Sequence, residues 1–192
     1  MYTLQDYLDK VAQRYKAGIS TEHSYRGDLQ NLLESLLPNV LVTNEPARIQ
    51  CGAPDYILTK ANIPIGYIEA KDIGKALDSK DYKEQFDRYR NSLDNLIITD
   101  YLEFRFYRDG LPVTAIKLAD IAGNTLMAKP ENFATFTCLI TDFAGYTGQT
   151  ITSPSKLAKM MAGKAKLLAT VIEKALTSDE QSEFMCSATS RW

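Results

Sequence analysis

The sequence predicts an α/β protein in which helices flank a mixed central sheet, with a further helix at the C-terminal end. In residues 2–37, apolar side chains recur every three or four positions, as on one face of a helix. In residues 40–118, short apolar runs alternate with turn residues, as in the strands of a sheet. Because a polar segment of helical spacing interrupts these runs, helices and strands alternate along the chain, which favours the α/β class.

Two helices are predicted at the N-terminal end. The first covers residues 2–16 and stops at Gly18, a residue type that favours helix ends. The second begins at Ser20 or Thr21, either of which can cap a helix, and ends at Pro38, which cannot continue one. Its apolar positions form the stronger strip: Tyr25, Leu29, Leu32, Leu33, Leu36 and Leu37. We therefore expect the second helix to pack on the sheet.

Three strands are predicted next. The first begins at residues 40–42 and continues irregularly through residues 48–49. The other two, residues 52–59 and 65–71, are apolar runs on either side of a turn at residues 60–64. Two such runs around a turn are typical of a β-hairpin.

A polar helix and a buried strand complete the core. Ser79 can cap a helix from residue 80 to about residue 91. Residues 96–99 are continuously apolar, as expected of a central strand that is covered on both faces. The predicted order is therefore helix, three strands, helix, strand, or αβββαβ.

The rest of the chain predicts one more hairpin and two helices. The segments are, in order, two strands (residues 103–107 and 113–118) around a turn at Asp109-Gly110, a helix (130–143), a linker (146–154) and a basic amphipathic helix (155–176). We divide the chain into a compact domain, residues 1–146, and a linker with a helical extension, residues 147–192. We expect the extension to lead to further domains.

Composition limits the class of protein. The 192 residues are 45% hydrophobic and 24% charged, as in ordinary globular domains. Apolar runs are far shorter than the roughly 20 residues of a membrane span, and the first residues do not resemble a signal peptide. Three cysteines without metal-type spacing suggest reduced thiols. We therefore expect a cytoplasmic protein with no membrane partner. The net charge of −2 argues mildly against a nucleic-acid binder that acts alone.

Charged residues on the predicted hairpin point to chemistry. Glu69 and Lys71 are two positions apart, so on a strand they project from the same face. Pairing of the hairpin can bring Asp55, near the start of the first strand, alongside Glu69. Charges among apolar strand residues need partners, since burial without them is costly. A divalent cation would satisfy both carboxylates, and oxygen ligands of this kind suit magnesium or manganese.

These residues carry a resemblance. Pro54-Asp55 followed by Glu69-Ala70-Lys71 resembles the signature of the PD-(D/E)xK nuclease superfamily, and Gln85-x-x-x-Tyr89 is similar to the extra helix motif of its Mrr-like and RecB-like branches. The wider context resembles the N-terminal nuclease domain of single-chain restriction-modification enzymes, of the Type I single-polypeptide or Type IIG kind. That context consists of residues 21–26, 97–100 and 104–107. The resemblance covers residues 21–110.

The resemblance implies a restriction-endonuclease-like core and a metal-dependent DNA endonuclease. By this resemblance Asp55 and Glu69 hold Mg²⁺, for which Mn²⁺ can substitute, and the carbonyl of Ala70 is a third protein ligand. The metal polarises a phosphoryl oxygen and activates a water for in-line attack. Lys71 orients that water and stabilises the charge that grows on the phosphate. The alternative for these residues is a surface salt bridge on an ordinary hairpin.

Three more residues are candidates for the site. Glu22 can add a carboxylate from the helix beside the sheet, or it is simply a favourable acid in the first turn of a helix. Gln85 can position Lys71 or a DNA phosphate, and Tyr89 can contact either. The alternative is that Gln85 belongs to a polar helix face and Tyr89 to the core. Four arginines can contact the DNA backbone or be solvated: Arg88, Arg90, Arg105 and Arg108.

The resemblance also implies partners. We expect double-stranded DNA as the substrate, and methyltransferase and target-recognition domains covalently linked to this one. One active site cuts one strand, so a double-strand break requires a second copy of the nuclease. Three alternatives stay open: a nuclease-fold module with an inactive site that holds DNA or a partner, an interaction domain whose acidic pair is a coincidence, and a DNA-repair or RNA nuclease.

Overall fold

The computed structural model describes residues 2–19, 21–46 and 53–146, together with residues 158, 161 and 162. The helices and strands in order are α1 (Leu4–Ala17), α2 (Glu22–Leu36), β1 (Leu41–Asn44), β2 (Tyr56–Lys60), β3 (Ile63–Ala70), α3 (Lys80–Ser92), β4 (Asn95–Thr99), β5 (Glu103–Arg108), β6 (Leu111–Lys117), β7 (Ala119–Ala122), β8 (Thr125–Ala128) and α4 (Phe133–Gly145). All of them lie in one compact unit, Met1–Gly148. The protein is an α/β protein, and α2 to β4 follow the predicted order αβββαβ.

Local signals place both N-terminal helices close to their predicted bounds. Thr3 caps α1: its hydroxyl accepts from the Asp6 N–H, and its own N–H donates to the Asp6 carboxylate. Gly18 ends α1 in the left-handed region, at a φ of 69°, where glycine has no steric cost. Thr21 occupies the N-cap of α2.

The main sheet has six strands in the order β1-β2-β3-β4-β5-β6. Its only parallel pair within the described residues is β3 with β4; the other neighbours are antiparallel. A parallel pair needs a crossover connection, and α3 supplies it. The sheet is therefore mixed, as predicted.

The β2–β3 hairpin sets the register that places Asp55 relative to Glu69. Ala61 and Asn62 form its turn, with φ values of 49° and 64°, the backbone of a tight two-residue hairpin turn. On the β2 side of this turn, the register of the pair shifts between Leu58 and Thr59. At the far end Tyr56 lies opposite Ile68, so the next pair outward is Asp55 and Glu69.

Apolar side chains cover the sheet on both faces. One cluster includes the inward residues of α1, α2 and α4. The other lies beneath α3: Leu77, Phe86, Tyr89, Leu93, Leu96 and Ile98. Neighbouring residues of β4 alternate between them, because Ile97 belongs to the first cluster and Leu96 and Ile98 to the second. All five residues of β4 are buried, as predicted for a central strand.

The structure differs from the predictions in two places. We did not predict the β7–β8 hairpin, although its turn contains Gly123 at a φ of 63°. Its strands are short and mostly exposed, so they lack a buried alternating pattern. The predicted helix at 130–143 starts as a 3₁₀ turn, Pro130–Asn132, before α4 begins.

Other predictions concern residues outside the described part. The continuation of the first strand through residues 48–49, most of the linker and most of the C-terminal helix lie there; Ala158, Met161 and Ala162 are helical. The division at residues 146 and 147 stays a prediction. Among the described residues, no helix is long and apolar enough to cross a membrane.

Close packing between β3 and α4 gives a test of the fold. A Cβ added at Gly66 would lie 2.5 Å from the buried ring of Phe143, whereas a Cβ at Gly27 in α2 meets nothing within 4 Å. We expect Gly66→Ala to lower the free energy of unfolding by about 1–3 kcal/mol through overpacking. Gly27→Ala, the matched control, should raise it by up to about 1 kcal/mol because alanine favours helices. Urea denaturation measures both, and equal stability of the two variants would contradict the packing.

Candidate functional site

The charged residues of the hairpin meet α2 at one edge of the sheet. Asp55 precedes β2, and Glu69 and Lys71 lie at the end of β3. Their side chains are 11%, 3% and 12% exposed, respectively. Glu22 and Arg26, on the first turns of α2, complete the group. We call these five residues the carboxylate cluster.

Asp55 is fixed by two donors. Its Oδ2 accepts from the backbone N–H of Ala70 at 2.8 Å, and its Oδ1 accepts from Nη2 of Arg26 at 2.5 Å. The first bond ties the start of β2 to the end of β3. The structure thus places Asp55 beside Glu69, as the hairpin register predicts.

Glu69 is the most deeply buried acid of the cluster. Its Oε1 accepts from Lys71 Nζ and from Gln85 Nε2, both at 2.6 Å. Its Oε2 is buried and has no hydrogen-bond partner in the described part of the chain. A buried oxygen without a donor costs free energy, so this atom is the one most in need of a cation or a water.

Arg26 is the site residue that the sequence analysis did not single out. Its Nη2 donates to Glu22 Oε1 at 2.7 Å as well as to Asp55, and its Nη1 donates to Glu45 Oε1 at 2.8 Å. The side chain is 10% exposed. A signal was present: Arg26 lies three residues before Leu29, on the apolar strip of α2, where a charge needs buried partners.

Gln85 and Tyr89 occupy different places. Gln85 reaches the cluster and donates to Glu69, not to Lys71. Tyr89 is 1% exposed and packs among the apolar side chains beneath α3. Its position therefore favours the interpretation of Tyr89 as a core residue. Nζ of Lys71 lies over the neighbouring rings of Tyr82 and Phe86, 5.2 and 5.8 Å from their centroids. Such rings attract the ammonium group and restrict where it can move.

Two tyrosines hold the first turns of α2 against the sheet. The hydroxyl of Tyr56 donates to the carbonyl of Arg26 at 3.1 Å, and that of Tyr101 donates to the carbonyl of Glu22 at 2.9 Å. Tyr7 of α1 in turn donates to the carbonyl of Tyr101 at 2.8 Å. The backbone of the two α2 residues of the cluster is thereby fixed from the core side.

Burial and neighbouring charge shift the ionisation of the cluster. Burial, with the nearby Asp55 carboxylate, raises the pKa of Glu69 to about 7. Burial also raises the pKa of Asp55, against the hydrogen bond from Ala70. For Lys71 the lowering effect of burial is outweighed by the Glu69 carboxylate, so its pKa lies above the usual value. Lys71 is therefore a cation, and Glu69 exchanges its proton near neutral pH.

The donor set fits a hard divalent cation in part. Asp55 and Glu69 offer carboxylate oxygens, the ligands that Mg²⁺ and Mn²⁺ prefer, and Glu69 Oε2 has no other partner among the described residues. No group of three or more His, Cys, Asp or Glu side chains in the described ranges has a metal-binding arrangement. A metal at this position would therefore need ligands beyond the two carboxylates, such as the predicted Ala70 carbonyl and waters.

The arginines considered for DNA contact have partners within the domain. Arg90 pairs with Asp87, Arg105 pairs with Asp78 and Glu103, and Arg108 pairs with Asp142. The guanidinium of Arg88 lies 5.5 Å from the ring centroid of Tyr89. Their positions favour a structural role at the surface.

Comparison with known proteins supports the fold. No family model and no curated protein matches the sequence. Among solved structures, the chain is similar to a chain in a cryo-electron-microscopy structure of a DrdV–DNA complex, with a TM-score of 0.59 and 19% identity. The match covers 93% of this chain and 17% of that chain. The similarity therefore shows a shared fold with a small part of a protein that was solved in complex with DNA.

The raised pKa of Glu69 predicts how stability depends on pH. The folded state keeps the proton of Glu69 to about pH 7, whereas the ordinary pKa of a glutamate side chain is 4.5. Between these values the folded state binds more protons than the unfolded chain, so stability falls as pH rises. We expect the free energy of unfolding of wild type to fall across this interval relative to that of Glu69→Gln. Urea denaturation in a chelator, across the interval and above it, measures this; parallel curves would contradict it.

Proposed function

We propose that this protein is a metal-dependent DNA endonuclease domain, the cleavage module of a restriction-modification enzyme. The observation that carries the proposal is the buried Glu69 carboxylate, which lies beside Asp55, is paired with Lys71 and has one oxygen without a donor in the described residues. These three residues form the sequence motif that suggested a nuclease. The αβββαβ order and the similarity to part of a DrdV–DNA complex support the same class.

The proposed hydrolysis of a DNA phosphodiester uses four residues of the cluster together with Gln85. Asp55, Glu69 and the Ala70 carbonyl would hold a divalent ion, which would supply Lewis acidity for the phosphate and for a water. Lys71, held by Glu69 and two aromatic rings, orients the attacking water and stabilises negative charge on the phosphate. Gln85 keeps the Glu69 carboxylate in place through its hydrogen bond. Glu22 adds negative charge beside Asp55.

The proposal includes partners beyond this chain. With a net charge of −2 over its 192 residues, and with Arg90, Arg105 and Arg108 paired to acids, the protein has no excess of positive charge for phosphates. Covalently linked methyltransferase and target-recognition domains would supply the grip on double-stranded DNA. A second copy of the nuclease would supply the second cut, so we expect the single domain to nick.

A DNA-binding module without catalysis is the second candidate. Three of the four carboxylate oxygens of Asp55 and Glu69 already accept hydrogen bonds from the protein, so the cluster is largely satisfied internally. Such a module would bind DNA without cutting it. A repair or RNA nuclease would cut a different substrate, and the assay below therefore includes single-stranded RNA.

Nicking of supercoiled plasmid tests the proposal directly. We expect wild type to nick with Mg²⁺ and with Mn²⁺, and Lys71→Ala to lose about 100-fold or more in rate, because the phosphate charge loses its stabilising cation. Lys60→Ala, at the exposed hairpin turn, is the matched control and should nick like wild type. Cleavage of RNA but not plasmid would point to the RNA nuclease. Equal nicking by wild type and Lys71→Ala would contradict the assignment of Lys71.

Metal binding has a readout that does not depend on cleavage. We expect Mg²⁺ or Mn²⁺ to raise the melting temperature of wild type, since a ligand at about ten times its Kd stabilises a protein by about 1.4 kcal/mol. The rise should be larger above the Glu69 pKa of about 7 than one unit below it, because the ligand must lose its proton. Differential scanning fluorimetry measures the shift. Glu69→Gln should abolish it, and an unchanged shift in that variant would place the metal elsewhere.

A further inference from the structure

One guanidinium nitrogen lies between two carboxylates of the cluster. Nη2 of Arg26 is 2.7 Å from Glu22 Oε1 and 2.5 Å from Asp55 Oδ1. Glu22 belongs to α2, whereas Asp55 precedes β2, so this single atom joins two elements. A position that is close to oxygens of two acids from different elements is one that a bridging cation would occupy.

The position is held firmly. The Arg26 side chain is 10% exposed, and its second terminal nitrogen is bound by Glu45. The backbone of Arg26 is held by Tyr56 from the core side. Its Nε has no hydrogen-bond partner within the part of the chain that the structure describes, so carboxylates alone orient the guanidinium. Because a guanidinium stays charged at all accessible pH values, the bridging charge is permanent.

The Glu69 carboxylate has a buried oxygen that can still accept a cation. Its Oε2 is the acceptor without a partner in the described ranges, and its donors, Lys71 and Gln85, both contact Oε1. Sites with two metals hold them about 3.5–4 Å apart between shared acidic groups. Here Arg26 already lies between Glu22 and Asp55, and among the described residues Glu69 Oε2 is the buried carboxylate oxygen of the cluster that still lacks a partner.

We propose that Arg26 takes the place of a second cation, so that the site binds one divalent ion, between Asp55 and Glu69. Arg26 is then a positioning residue that holds the carboxylates of Glu22 and Asp55 together. This inference rests on the proposed function, because it assumes that the cluster binds metal. It goes further by fixing the number of ions and naming the group that limits it.

Removal of the Arg26 charge should increase the stabilisation of the protein by metal. Loss of a residue with a purely structural role would not increase it. Arg26→Gln leaves Glu22, Glu45 and Asp55 near one another without the guanidinium that contacts all three, and like charges repel. A divalent ion relieves that repulsion. The variant should therefore be less stable than wild type without metal and should gain more from metal. Arg26→Lys keeps a positive charge and is the matched control.

Titration of the 192-residue chain with Mn²⁺, with free ion followed by electron paramagnetic resonance, counts the ions bound. Glu69→Gln gives the background from other surface acids. We expect wild type and Arg26→Lys to bind one ion above that background, and Arg26→Gln to bind two. Melting temperatures with and without Mn²⁺ should show the largest metal-induced rise for Arg26→Gln.

The outcomes separate this inference from the proposed function. Two ions on wild type would overturn the inference and leave the nuclease proposal standing. No ion above background on wild type would overturn both. A folded Arg26→Gln that binds one ion, with a metal-induced rise no larger than that of wild type, would show that Arg26 does not occupy a cation position. If Arg26→Gln does not fold without metal, the ion number of wild type and Arg26→Lys still decides, since two ions on either contradicts the inference.

Discussion

Burial of acid groups at the end of β3 is the constraint on which the arrangement of the site depends. Glu69 is 2% exposed in a position where a charge without partners would be costly. Four donors reduce that cost: Lys71 and Gln85 donate to Glu69, and Arg26 and the Ala70 amide donate to Asp55. These partners come from α2, α3 and the hairpin. The buried charge thus determines how three elements meet.

The parallel β3–β4 pair explains how α3 reaches the cluster. Because the two strands run in the same direction, the chain must cross over between them, and α3 is that crossover. Its apolar face, with Phe86 and Tyr89, packs on the sheet, while Gln85 lies beside Glu69. One helix therefore closes the core and supplies a donor to the site. Tyr89, which was predicted as a candidate site residue, contributes to the core instead.

Sequence reasoning predicted what depends on local pattern. The period of two along β3 put Glu69 and Lys71 on one face, and Ser79 correctly marked the start of α3. Arg26 was not predicted as a site residue, because an arginine four residues after a glutamate is also a common surface pair. The other two acids that pair with Arg26, Asp55 and Glu45, are distant from it in sequence. The β7–β8 hairpin was not predicted since few of its side chains are buried. Ion pairs between residues that are distant in sequence, and strands with few buried side chains, produce no pattern that a single sequence reveals.

The two tyrosines beneath α2 have a consequence for the thermodynamics of ligand binding. Tyr56 and Tyr101 are fully buried and bind the backbone of the residues that carry the Arg26 and Glu22 side chains. The backbone that carries those side chains is therefore ordered when the protein folds, and the ion pairs of Arg26 with Glu22 and Asp55 orient the side chains themselves. A ligand that enters the cluster meets groups that are already in place, so little of its binding free energy goes into conformational ordering. Preorganisation of this kind makes affinity at the cluster depend on charge and desolvation rather than on a change of shape.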